Sequence, residues 1–150
     1  MVSFEIIFAL VTIILISASP IGEILVAIPA GIALGIDPIL TFAVAYPANL
    51  LPTIFLLMAM EHFKKSFPRI FNYFTKKGSK LQKYIQGRYG STCLLLITPL
   101  IGVYATSISS MLLGFGKKRS FILQAVSLLI YGVIEALGFY FGLRLLYGSV

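Results

Sequence analysis

The chain has 150 residues, 59% of them hydrophobic and 11% charged, against about 25% charged in an ordinary soluble domain. Its net charge is +7, yet no Lys or Arg precedes Lys64, residues 89–116 carry no charge, and Glu135 is the only charge between Ser120 and Leu143. A water-soluble globular fold and a separate soluble catalytic domain are excluded, because such apolar blocks suit a bilayer whose core takes about 20 helical residues.

The N-terminus lacks the positive start of a secretory signal, and Ser17-Ala18-Ser19 runs into Pro20, so the segment is expected in the mature protein. Phe4 to Ser17 reads as a short apolar helix. Residues 19–35 interrupt an apolar run with Pro20, Gly22, Glu23, Pro29, Gly31 and Gly35. Proline removes a backbone donor, and non-helical backbone at membrane depth needs cover from protein or a wet cavity, so a continuous crossing is not expected there. Asp37 before Pro38 reads as a helix cap. Ile39 to Met60 is a full span kinked by Pro47, Asn49 and Pro52.

From Phe63 the pattern changes. Phe63, Phe67, Ile70, Phe71 and Phe74 recur at helical spacing with Lys64, Lys65, Arg69 and Asn72 between them, predicting an amphipathic helix in the membrane surface. After Gly78 the spacing resumes at Leu81, Tyr84 and Ile85, so that the interfacial stretch is about 63–90. Residues 93–116 are apolar again, broken by Pro99, Gly102, Gly114 and Gly116 and rich in hydroxyls: Thr98, Tyr104, Thr106, Ser107, Ser109 and Ser110. Such a set suits either a polar path or helix packing. Phe121 to Tyr147 is the last span.

Eight of the 12 basic residues fall between Lys64 and Arg88, and three more form Lys117-Lys118-Arg119. Clusters between apolar segments mark short cytoplasmic loops rather than a nucleic-acid surface, and Lys64, Lys65, Arg69, Lys76 and Lys77 are also suited to anionic headgroups. If 93–116 simply crossed, the two clusters would lie on opposite faces; if it dips in and returns, both are cytoplasmic, with Arg144 near the other face. The second reading places 61–92 and 117–119 inside a multi-pass cell-membrane protein. Four simple spans are the alternative.

The broken segments resemble each other. Pro20 and Pro99 are 79 residues apart, as are Gly35 and Gly114, and Ala27, Gly31 and Gly35 match the small residues Thr106, Ser110 and Gly114. One span separates the copies, which makes them an inverted-topology repeat. The expected fold is therefore a single all-α transmembrane domain over 1–150, with an N-terminal helix. In it, repeat 1 (about 19–60) and repeat 2 (about 93–147), each a re-entrant hairpin plus a transmembrane helix, flank the interfacial helix.

Gly22-Glu23 leading to Ala27-Ile28-Pro29, Asn49-Leu50-Leu51-Pro52, Arg88-Tyr89-Gly90, and Thr98-Pro99-Leu100-Ile101-Gly102 running to Leu112-Leu113-Gly114 resemble the small multidrug export family and, more distantly, the DedA family of membrane proteins. The resemblance implies paired re-entrant hairpins and transport of lipid carriers or other amphiphiles, coupled to protons. The chain departs from the exporter pattern at Leu25, where an Arg is usual, and at Ile101-Gly102, where Pro-Gly is usual.

Two acids are expected deep in the membrane, Glu23 in the first break and Glu135 midway along the last span. Acids there usually mark ion or proton paths, and burial favours the neutral form. Glu23, next to Gly22 and between Pro20 and Pro29, is the stronger candidate for a coupling group because freed helix ends can form an ion site. Pro20, Gly22, Pro29, Gly35, Thr98, Pro99, Gly102, Tyr104 and Gly114 are expected to line the substrate path or make the hairpin breaks. No catalytic or metal residues are expected: the only His, His62, has no nucleophile pattern around it, the single Asp excludes an aspartyl dyad, and the single Cys93 excludes a disulfide or cysteine-built metal site. No cofactor is implied, since no phosphate-cradling loop occurs. The expected partners are membrane lipids, an amphiphilic or lipid substrate and, in a homo-oligomer, a second copy of the chain; for a structural subunit, the Gly138-xxx-Gly142 face offers a packing surface. The expected activity is non-enzymatic, coupled transport; an uncoupled lipid translocator and a structural subunit are the alternatives.

Overall fold

The computed structural model describes residues 4–77 and 90–148 and, of residues 77, 146 and 147, the backbone alone. All regular structure among the described residues is helical. In chain order the helices are α1 (Phe4–Ala18), α2 (Glu23–Ala33), α3 (Pro38–Ser66), α4 (Pro68–Lys77), α5 (Gly90–Leu112) and α6 (Lys117–Tyr147). Three are long and apolar enough to cross a membrane: α3, α5, and α6 over Lys117–Leu145.

The chain packs as two compact units whose boundaries fall inside the two longest helices. One takes the chain up to Leu51 and again from Leu128; the other takes Pro52–Ser127. Each unit therefore holds one broken segment together with parts of α3 and α6.

In the first unit α1 and α2 pack as a hairpin. Its turn is wired by Ser19, whose hydroxyl donates to the Ile16 carbonyl (2.9 Å) and accepts from the Gly22 amide (2.9 Å). A Cβ at Gly22 would collide with the Ile16 carbonyl and the Ser19 hydroxyl, so only glycine fits. At the other end of α2, Gly31 lies against Thr41 of α3 and Ile13 of α1, and the Ser17 hydroxyl donates to the Ala45 carbonyl (2.6 Å). Gly132 gives α6 the same intimacy with Phe42 and Ile24. Small residues bring helix backbones together where there is no water to drive association.

In the second unit α5 folds back on itself at Gly102, whose φ of 83° and ψ of 162° break the helix. A straight helix would put Ser91 and Leu112 about 30 Å apart. Yet Arg119, just past the end of α5, donates to the Ser91 hydroxyl at 2.6 Å. Ser127 of α6 donates to the Leu95 carbonyl (2.6 Å), and Ser107 donates to Gln124 (2.9 Å), so residues on either side of Gly102 meet the same stretch of α6.

α3 runs beyond the expected Met60 to Ser66 and stays helical through Pro47 and Pro52. The amphipathic helix does not begin at Phe63, which belongs to α3. Pro68 disfavours helical backbone at Phe67 and supplies no amide, so the run breaks there and restarts as α4. Its expected continuation over 78–89, with Leu81, Tyr84 and Ile85, lies outside the described residues. α4 buries Phe71 against the protein and leaves Ile70 and Phe74 about half exposed, as is Phe67 just before it, the faces an interfacial helix needs. Lys117-Lys118-Arg119 are not a loop but the first turn of α6.

Candidate functional site

The two breaks share a register of 79 residues that is sharper in the structure than in the letters. Glu23, with φ of 51°, is the one non-glycine among the described residues at positive φ, and its counterpart is Gly102 at 83°. Twelve residues further on, Gly35 (φ 80°) and Gly114 (φ 83°) end the two helices. Both ends use the same paired bonds: Ile36 N to Gly31 O and Gly35 N to Ile32 O in one, Phe115 N to Ser110 O and Gly114 N to Met111 O in the other. This is the Schellman motif, which favours glycine at the left-handed position. α3 and α6 then start in step at Pro38 and Lys117.

The step continues along the long helices. The buried positions 41, 45, 48, 49, 53 and 57 of α3 correspond to 120, 124, 127, 128, 132 and 136 of α6, and every position between them over 41–49 and 51–58 has the same degree of exposure as its counterpart. The register does not extend to the prolines that first pointed to it. Pro20 is exposed in the α1–α2 turn, whereas Pro99 is buried within α5, because the first hairpin turns through the loop Ser19–Gly22 and the second at Gly102.

Of the two acids expected to lie deep, Glu23 is half-buried at the start of α2, its amide donating to the Ser19 carbonyl (3.3 Å). Glu135 sits in α6 with its Oε2 atom buried and without a hydrogen-bond partner among the described residues. Asp37 is a cap: Oδ1 accepts from the Ile39 and Leu40 amides at 2.9 and 3.0 Å, with Pro38 at the first helical position. Pro29 is half-buried inside α2, and Tyr104 is half-buried beyond the second break. Thr98 is buried and donates to the Leu94 carbonyl (2.6 Å). Lys64, Lys65, Arg69 and Lys76 are exposed around α4, and the Lys64 ammonium lies 5.6 Å over the Phe71 ring. The side chain of Lys77 lies outside the described residues.

Sequence reasoning missed a polar face. Ser120, Gln124 and Ser127 are buried on one side of α6, where Gln124 accepts from Ser107 and donates to the Ser120 carbonyl (3.2 Å). Their spacing of i, i+4 and i+7 is the helical period and was the available signal. The counterparts in α3 are Thr41, Ala45 and Ala48, and α3 instead buries Asn49 and Thr53 where α6 has Leu128 and Gly132, so the two long helices place their buried polar groups at different points of the shared register. Also unforeseen is the ion pair between Glu61 and Lys117 at 2.6 Å.

The family model described as "Putative small multi-drug export protein" matches residues 23–134. The chain belongs to that family. The match with the export-protein family opens at Glu23 and takes in both breaks, both Schellman ends and the polar face of α6; α1 and Glu135 lie outside it. No curated protein and no solved structure matches the chain. Membership of the export family, together with three helices whose length and apolar composition suit a bilayer, makes this a membrane protein that is helical throughout its described regular structure.

Proposed function

We propose that the protein is a secondary transporter that moves amphiphilic or lipid-linked molecules and is coupled to protons or cations through Glu23, with Glu135 as a second deep acid. The observation that carries this reading is the backbone of Glu23. An L-residue at positive φ costs about 1–2 kcal/mol, and the equivalent position in the second hairpin is glycine. Strain kept at such a point is a mark of function, and an acid within an apolar segment marks an ion path. Protonating the carboxylate removes its charge, which lets the break exchange between wet and dry surroundings; deprotonation reverses the bias.

In this reading α1–α2 and α5 are re-entrant hairpins that dip from opposite faces, and the 79-residue register is an inverted-topology repeat. The fold-back of α5 supports it, because it leaves the basic residues around α4 and the first turn of α6 on one face, the cytoplasmic one. Lys64, Lys65, Arg69 and Lys76 then meet anionic headgroups of the inner leaflet.

The test is flux of the purified protein in liposomes with and without an imposed pH gradient. Glu23→Gln keeps shape and most hydrogen bonding but cannot exchange a proton, so a folded, inserted protein without pH-driven flux is expected. Glu23→Asp retains partial flux with a shifted pH optimum. Unchanged rate and pH dependence in Glu23→Gln would refute the assignment. Lipid movement that ignores the gradient in the unaltered protein would identify an uncoupled translocator instead.

A further inference from the structure

Lys117, Lys118 and Arg119 occupy the first turn of α6, the end at which the helix dipole repels cations. Two of the three are neutralised or held. Lys117 pairs with Glu61 at 2.6 Å, and Arg119 donates to Ser91 and lies 5.1 Å over the Phe115 ring. Lys118 is exposed and has no side-chain partner among the described residues.

Lys118 also stands between two apolar grooves of the second unit. One, of about 300 Å³, is lined by Ile54, Leu57, Met58, Lys117 and Phe121; the other, of about 430 Å³, by Gly116, Arg119, Ile122 and Leu123; Lys118 borders both. The exposed walls of Ile54, Met58 and Ile122 belong to α3 and α6, which are long and apolar enough to cross a membrane, a setting in which the surrounding solvent is hydrocarbon chains. A single cation shared by two chain-sized grooves selects the headgroup.

We infer that this face binds one diacyl anionic phospholipid, with its phosphate on Lys118 and one acyl chain in each groove. The site is confined to the second copy: the positions that correspond to Lys117, Lys118 and Arg119 in the 79-residue register are Pro38, Ile39 and Leu40, which carry no charge. All of its residues lie in Pro52–Ser127, so it contains neither Glu23 nor Glu135 and its lipid-binding readout needs no flux measurement.

The test is native mass spectrometry of the purified full chain in detergent, titrated separately with dioleoylphosphatidylglycerol, dioleoylphosphatidylcholine and single-chain lysophosphatidylglycerol. One tightly retained phosphatidylglycerol per chain is expected, with both comparison lipids at least about tenfold weaker. Lys118→Gln should lower phosphatidylglycerol affinity about fivefold, the worth of one interfacial cation, while Lys118→Arg retains it. A Cβ at Gly116, on the lining of the second groove, meets nothing within 4 Å, so Gly116→Leu is chosen to take up space in that groove. It should weaken the diacyl lipid and leave the single-chain lipid unchanged. Equal binding of phosphatidylcholine, equal binding of the single-chain lipid, or undiminished affinity in Lys118→Gln would each overturn the inference.

Discussion

Glu23 and Gly102 hold the same place in two hairpins, 79 residues apart and both at positive φ, 51° and 83°. The backbone requirement is met in one copy by the residue that tolerates it and in the other by a carboxylic acid that does not. Geometry alone would favour glycine in both, and the proposed coupling role gives the reason for an acid in one of them.

This asymmetry separates stability from activity. Glu23→Gly should leave the melting temperature in detergent unchanged or raise it, by up to about 1–2 kcal/mol of relieved strain, while abolishing pH-driven flux. The converse exchange, Gly102→Ala, places a side chain in a region that is essentially reserved for glycine and should cost about 1–3 kcal/mol. A destabilised Glu23→Gly protein would show that the carboxylate holds the turn together.

The hairpin ends were legible because a Schellman end needs glycine in a fixed place, and Gly35 and Gly114 announce it. Asp37-Pro38 likewise spelled a helix start. The proline match misled, since Pro20 and Pro99 disrupt helices in different settings, an exposed turn and a buried helix. The polar face of α6 was hidden for another reason. Ser120, Gln124 and Ser127 are uncharged and scattered in an apolar run, and only their helical spacing gathers them. The break at Phe67 lay behind an unbroken aromatic period, which Pro68 overrides through the backbone rather than through hydrophobicity.

Gly31 tests the packing of the first unit. A side chain there would collide with Thr41 and with Ile13 Cδ1 (2.9 Å), whereas Gly138 has nothing within 4 Å. Gly31→Leu should lower the melting temperature markedly, by about 1–3 kcal/mol for forced overpacking, and Gly138→Leu should not. Equal effects of the two substitutions would remove the argument that Gly31 sets the approach of α1, α2 and α3.

Topology follows from the fold-back of α5. In a background with the exposed Cys93 replaced by Ser, single cysteines at Lys76 and Lys118 should both react with a membrane-impermeant thiol reagent from the cytoplasmic side, and one at Ile36 from the opposite side. Labelling of Lys76 and Lys118 from different sides would mean that α5 crosses, and the inverted repeat would fall with it.

Glu135 offers the sharpest test of the second acid. In the 79-residue register its counterpart is Leu56, and both are half-buried at the same point of the long helices. The Oε2 atom of Glu135 is buried without a partner among the described residues, and an unsatisfied buried polar group costs about 1–3 kcal/mol. Glu135→Leu, which installs the residue of the other copy, should therefore raise the melting temperature. If the acid takes part in coupling, the same variant loses pH-driven flux, and Glu135→Gln loses it without the gain in stability. A lower melting temperature in Glu135→Leu would reveal that the carboxyl group bonds within the folded protein, and flux that survives both substitutions would leave Glu23 as the sole coupling acid.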